Sequence, residues 1–183
     1  MPFSFLLILF VALYRIFMPL LNGWPNFAPL MALSFCAAIY WPGFLAMMIP
    51  IGALFISDLW LNHYYHASLL AWSMLPAYFC YVMAWGLGRW VKYHKSFATI
   101  FTGSLLGSSL FYLITNSISW FAEPLYAKTA AGWWQALTMG LPTYPPTYLF
   151  FKNSLISDLL FTGLFVLTME LSSKKVSPAI VAR

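Results

Sequence analysis

Long apolar runs, parted by short polar or turn-forming clusters, organise this chain. The runs fall at about 3–21, 29–41, 44–61, 69–87, 97–120 and 152–171. A helix needs about 20 apolar residues to cross the hydrocarbon core of a bilayer. The pattern therefore predicts an all-α integral membrane protein with six transmembrane helices in a single domain over 1–183. The second run is the shortest, broken by Trp41-Pro42-Gly43. Asn22-Gly23-Trp24-Pro25-Asn26-Phe27 is turn-forming by composition. Asn62 to His66 forms a polar aromatic loop, and Arg89, Lys92, His94 and Lys95 make a basic one.

Residues 121–151 break the pattern. Glu123-Pro124, Lys128 and the stretch Pro142 to Pro146 punctuate them. Thr129 to Leu141 predicts a helix too short to span, with Trp133 and Trp134 suited to an interface.

Composition sharpens this picture. Hydrophobic residues make up 62% of the chain and charged residues 7%, against roughly 25% charged in soluble domains. The 17 Phe, 11 Tyr and 9 Trp exceed what interfacial belts need, so some are expected to line a pocket. The net charge of +5 reflects topology and does not point to nucleic acid. Arg89, Lys92, Lys95, Lys174, Lys175 and Arg183 fall on one side, and only Lys128 and Lys152 on the other. The positive-inside rule then places both termini in the cytoplasm and the long aromatic loops outside. The apolar N-terminus lacks a basic start and a clear cleavage site, and is read as a retained first span.

Candidate chemistry is sparse. There is no phosphate-binding G-x-x-x-x-G-K-[ST], so no ATP site, and no H-E-x-x-H or paired-cysteine zinc spacing. Gly103-Ser104 and Gly107-Ser108 supply serines, but His94 lies in the basic loop, which disfavours an intramembrane serine protease. His63 and His66, three apart, are either metal ligands or plain loop histidines. Asp58 and Asp158 read either as a proton relay or as capping and pairing groups. Arg15 lies within the first span, where it either snorkels to the headgroups or pairs with Asp58 or Asp158. Both cysteines lie in apolar spans and suggest no disulfide framework. Cys36 shares a face with Ala32 and Pro29 and is read as packing. On the fourth span Ser73, Ala77, Cys80 and Ala84 form a stripe of small residues among large ones. Such a stripe serves close helix packing, or leaves room for something bulky beside a thiol.

Several stretches together resemble the BtuM family of vitamin B12 transporters, which are similar to the substrate-binding S-components of energy-coupling factor (ECF) transporters. They are Trp24-Pro25-Asn26-Phe27-Ala28-Pro29, Ile56-Ser57-Asp58, Thr115 to Trp120, Tyr126-Ala127-Lys128-Thr129 with Gly132, Phe151 to Leu160, and Cys80. The resemblance covers nearly the whole chain. It implies a six-helix, S-component-like bundle in a bacterial cytoplasmic membrane, with cobalamin near the outer face. It also implies that Cys80 is the cobalt ligand and assists decyanation of cyanocobalamin. Ser73, Ala77 and Ala84 would then give flat access to a macrocycle. Asn26, Phe27, Asn116, Tyr126 and Asn153 are expected near the pocket, since amides pair with the corrin's amide arms. The implied partners are cobalamin and the bilayer, with an ECF energising module or none. Many S-components dock through small residues four apart in span one. Here Ala12 has no second small residue at that spacing, which fits family members that work alone. Two other functions compete: an S-component for another vitamin with Cys80 only packing, and a membrane enzyme whose main role is reductive decyanation.

Overall fold

A computed structural model describes residues 9–11, 13–17, 26–27 and 29–176, apart from the side chains of Ser73 and of 173–176. The expectations placed on Ala12, on Trp24-Pro25 and Ala28, on Arg183 and on the side chains of Ser73, Lys174 and Lys175 lie outside the described residues. Every regular element among the described residues is helical. Residues 9–11 and 13–17 belong to an N-terminal helical segment. There follow α1 (Leu30–Tyr40), α2 (Leu45–Tyr64), a short 3-10 turn (Trp72–Met74), α3 (Leu75–Tyr93), α4 (Phe97–Ala122), α5 (Ala130–Leu137) and α6 (Thr147–Val176).

Local sequence explains most of the boundaries. Ser96 starts α4 with a reciprocal cap: its hydroxyl accepts from Thr99 N at 3.1 Å while Ser96 N donates to Thr99 Oγ1 at 2.8 Å. Thr129 Oγ1 accepts from Gly132 N at 3.2 Å to start α5. Pro76 lies in the first turn of α3, where a missing N–H costs nothing.

Some boundaries differ from the hydropathy pattern. The fourth helix begins at Leu75, six residues after the apolar run does, because Leu69 to Ala71 form bends and a non-helical stretch leading into the 3-10 turn. The third continues to Tyr64, whose ring stacks on Trp60 at 5.4 Å and 5°. The sixth begins at Thr147, directly after Pro145-Pro146, which cannot continue a preceding helix. His66 lies beyond the end of α2 at φ 54, so His63 and His66 do not share a helical face.

Among the described residues, three helices are long and apolar enough to cross a membrane: Leu45–Tyr64, Phe97–Ala122 and most of α6, Thr147–Ser172. Only roughly a third of each is buried within the protein. Large apolar side chains such as Ile56, Leu106, Leu113, Leu160 and Leu167 point outward. Helices apolar on all sides and exposed over most of their surface require lipid around them.

At 11 residues α1 spans about 16 Å at 1.5 Å per residue, short of the roughly 30 Å core. It is instead the bundle's centre: ten of its residues are buried, and α2, α3, α4 and α6 all pack on it. Gly88 of α3 allows the closest approach. A methyl group there would sit 2.3 Å from the Phe35 carbonyl oxygen.

Pro29 at the N-terminus of α1 offers no side-chain cap. Asp158 of α6 supplies it from across the bundle, its Oδ1 accepting from Ala32 N at 3.1 Å. Ser108 Oγ donates to Asp158 Oδ2 at 2.7 Å, and Ser104 Oγ lies 2.9 Å from Thr162 Oγ1. The two serines of the apolar α4 are thus structural struts to α6. A carboxylate at a helix N-terminus is favourable both as acceptor and through the helix dipole.

The other intramembrane charges pair separately. Arg15 Nη2 meets Asp58 Oδ1 at 2.5 Å, and Arg15 Nη1 donates to Ser57 Oγ at 2.5 Å. Tyr78 of α3 donates to Asp58 Oδ2 at 3.0 Å. Of the two carboxylates open to Arg15 in the sequence, Asp58 is the partner. Removing one member of such a pair strands the other in a poorly solvated place.

Candidate functional site

Two cavities meet around Phe111 of α4. The larger, about 540 Å³, lies where α4 and α6 emerge beneath the connecting segment. One wall comes from a face of α4 carrying Tyr112, Thr115, Asn116 and Ser119 at helical spacing. Phe151 and Ser154 of α6 form another, and Glu123, Tyr126, Leu141 and Tyr144 of the connecting segment close over them. The rim is tied together: Ser154 Oγ donates to the Asn26 carbonyl at 3.2 Å, and Tyr112 stacks on Phe151 at 4.4 Å.

Three residues expected at the pocket line this cavity: Asn26, Asn116 and Tyr126. Asn116 Nδ2 donates to Tyr112 O at 2.8 Å, which fixes the amide's orientation. Burial first, and then the Glu123 carboxylate, raise the Tyr126 phenol above its usual range. It therefore remains a protonated hydrogen-bond donor at neutral pH.

The smaller cavity, about 210 Å³, lies between α3 and α4. Cys80, Met83, Ala84 and Leu87 face Gly107, Leu110, Phe111 and Ile114 across it. Cys80 and Ala84 are only 3% and 2% exposed. A methyl group on Gly107 would meet nothing within 4 Å, so the glycine is part of what keeps this space open. Phe111 lines both cavities and meets Tyr81 edge-on at 5.9 Å, so its ring stands at their junction.

The remaining candidates sit elsewhere. Phe27 packs edge-on against Phe161 at 6.3 Å and belongs with the apolar core. Asn153 is buried at 6% exposure, on neither cavity lining. Ala77 is half-buried against the core, and the Ser73 backbone lies in the 3-10 turn ahead of α3. Cys36 is buried at 1% within the core. Among the described residues, no group of three or more His, Cys, Asp or Glu side chains gathers to hold a metal.

Sequence reasoning gave no place at the pocket to Tyr112, Thr115, Ser119 and Glu123, nor to Gly107 and Phe111 at the junction. The first four recur every three or four residues in an otherwise apolar stretch, and that polar face was a readable signal. Nothing in the sequence marked Phe111 among its 17 phenylalanines.

The connecting segment is held down at defined points. Lys128 Nζ donates to the carbonyls of Trp120 at 2.5 Å and Glu123 at 2.6 Å, at the C-terminal end of α4. Trp120 Nε1 donates to Ala127 O at 2.8 Å, and Trp133 Nε1 to Ser117 Oγ at 2.9 Å. Gly132 is where the segment folds tightest: a methyl group there would sit 1.9 Å from the Ala127 carbonyl oxygen.

The fold and the outward apolar faces define a helical membrane protein with a partly open cavity, apolar with a few polar side chains, at one end of its bundle. The chain belongs to the family described as DUF6580, a family of unknown function, whose model matches residues 1–180. No curated protein and no solved structure matches it.

Proposed function

We propose that this protein takes up cobalamin across a bacterial cytoplasmic membrane as an S-component-like binding protein, and that Cys80 ligates the cobalt. One observation carries the reading: a single thiol faces an apolar slot, with no His, Asp, Glu or second Cys among the residues that line it. A free metal ion wants several protein ligands. A metal already chelated by a macrocycle needs only one, and a soft thiolate is a strong one. The amides Asn26 and Asn116 in the neighbouring cavity suit the corrin's amide arms. On this reading Cys80 replaces the vitamin's own base and assists the reductive loss of cyanide from the opposite face. The reductant comes from outside this chain.

At about 210 Å³ the Cys80 cavity is below the roughly 300–1,000 Å³ of pockets for drug-sized ligands. Cobalamin therefore binds with the two cavities merged past Phe111 and with the connecting segment, Glu123 to Phe151, displaced as a lid. The expected result is slower hydrogen exchange in this segment when cobalamin is present, with little change in α2. Gly132→Ala, which touches neither cavity lining, should distort the lid and weaken capture on the order of ten-fold, about 1.4 kcal/mol. Equal exchange with and without cobalamin would count against the lid.

The basic residues orient the protein with Arg89, Lys92 and Lys95 inside and Lys128 outside. These two groups lie at opposite ends of the 26-residue α4. Labelling of single cysteines introduced near 92 and 128 in intact cells should mark only the second. Labelling near 92 from outside would reverse the orientation.

A second reading has its own support. The larger cavity alone, at about 540 Å³, is the right size for a smaller vitamin, with Cys80 then only packing. The visible absorption spectrum of purified protein incubated with cyanocobalamin separates the two. A thiolate-ligated, base-off corrin differs in colour from the free vitamin, and an unchanged spectrum favours the smaller ligand.

A further inference from the structure

At the opposite end of the bundle from the larger cavity, two cations have no partner. Arg89 and Lys92 lie one turn apart near the end of α3, half-buried, and neither makes a hydrogen bond or ion pair among the described residues. The nearby Lys95 is different: its ammonium holds Glu170 Oε1 at 2.5 Å and sits 4.3 Å over the Tyr40 ring. Tyr40 also donates to Glu170 Oε1 at 3.1 Å. The carboxylate at this end is therefore already engaged, and Arg89 and Lys92 leave a net positive patch.

Three large aromatic side chains lie close to the two cations in the chain and point outward: Trp90, Tyr93 and Phe97 are 56%, 74% and 75% exposed. Trp90 is braced by His94, whose ring centroid lies 5.0 Å away and whose Nδ1 is 3.3 Å from the Trp90 carbonyl. Phe97 packs tilted against Phe101, ring centroids 4.5 Å apart. Aromatic rings of this kind settle at headgroup level, where one side is apolar and the other wet. Unpaired cations at the same depth meet lipid phosphate.

We propose that Arg89 and Lys92 form a binding site for the phosphate of an anionic phospholipid, whose acyl chains lie against Trp90, Tyr93 and Phe97. The site is independent of the cobalamin reading. Its occupant is a lipid and not a free anion, because the exposed aromatic surface is as large a part of the site as its charge.

Native mass spectrometry of the full-length protein, released from detergent with phosphatidylglycerol or phosphatidylcholine, tests this directly. Wild type should retain phosphatidylglycerol in preference to phosphatidylcholine, less so as salt rises. Each cation near a membrane surface contributes roughly a factor of five, so the double variant Arg89→Gln, Lys92→Gln should lose about thirty-fold in retention. Arg89→Lys with Lys92→Arg should keep it, and both variants should unfold at the wild-type temperature. Trp90→Ala should weaken retention with the charge intact. Equal retention by wild type and the Gln variant would overturn the site, as would equal retention of the two lipids. Displacement by millimolar inorganic phosphate alone would make it a phosphate site and overturn the lipid assignment.

Discussion

Cys80→Ser should give a folded protein that binds cobalamin in a different axial state and no longer decyanates cyanocobalamin. The substitution changes the side chain's volume little, and the wall of Met83, Ala84 and Leu87 is left in place. What changes is the donor: a hydroxyl is harder and far less ionised than a thiol, and is a poor ligand for cobalt. Decyanation should fall at least a hundred-fold, a loss of about 2.7 kcal/mol in the barrier. The visible spectrum of the bound vitamin should shift toward the free form. Cys36→Ser is the matched control, since that thiol lies in the core away from both cavities. Gly107→Leu adds a second arm by filling the slot opposite Cys80 while leaving the thiol intact. Because a helical glycine is replaced by a good helix former, the fold should hold. If Cys80 is a ligand, both Cys80→Ser and Gly107→Leu abolish the thiolate spectrum. A wild-type spectrum in Cys80→Ser would return this stripe of small residues to helix packing.

Asp158→Ala should be the most destabilising single change in the polar core. It leaves the buried Ala32 N without its acceptor, and takes from Ser108 Oγ the shorter of its two contacts, leaving Ser104 O at 3.1 Å. An unsatisfied buried donor costs about 1–3 kcal/mol, and the loss should be of that size. Asp158→Asn should cost much less. Its amide oxygen still accepts from Ala32 N, and the Ser108 hydroxyl, which also reaches Ser104 O at 3.1 Å, can turn to accept from the new amide. Thermal unfolding in detergent, with the three proteins side by side, measures the order. Alanine and asparagine variants of equal stability would mean that Asp158 does not hold α1.

The helical membrane character was legible because it rests on composition and on runs of some 20 apolar residues, which no tertiary contact overrides. The run at 29–41 misled, since hydropathy registers an apolar helix in the same way whether lipid or protein surrounds it. Only α2, α3, α4 and α6 packing around α1 reveals that protein does. The start of the fourth helix was missed because Leu69 and Leu70 are apolar but lie exposed in the loop ahead of Pro76. At the cavities, Asn116 and Tyr126 were readable as polar groups out of place. Asn153 carries the same amide but is buried away from both cavities, and side-chain type alone does not encode that direction. The pairing of Arg15 with Asp58 over Asp158 depended on which helices are neighbours, a property of topology.

The cap on α1 also bears on how the protein is made. Ala32 and Asp158 are 126 residues apart in the chain. At 11 residues α1 is too short to be held by the bilayer alone, and its amino end stays unsatisfied until α6 arrives. During synthesis the central helix is thus the last to be secured, although it is among the first to leave the ribosome. A chain that stops before α6 would carry every wall of the Cys80 slot and still lack the residue that anchors the helix at its centre. The cap that holds the centre of the bundle is therefore available only after α6 has been made.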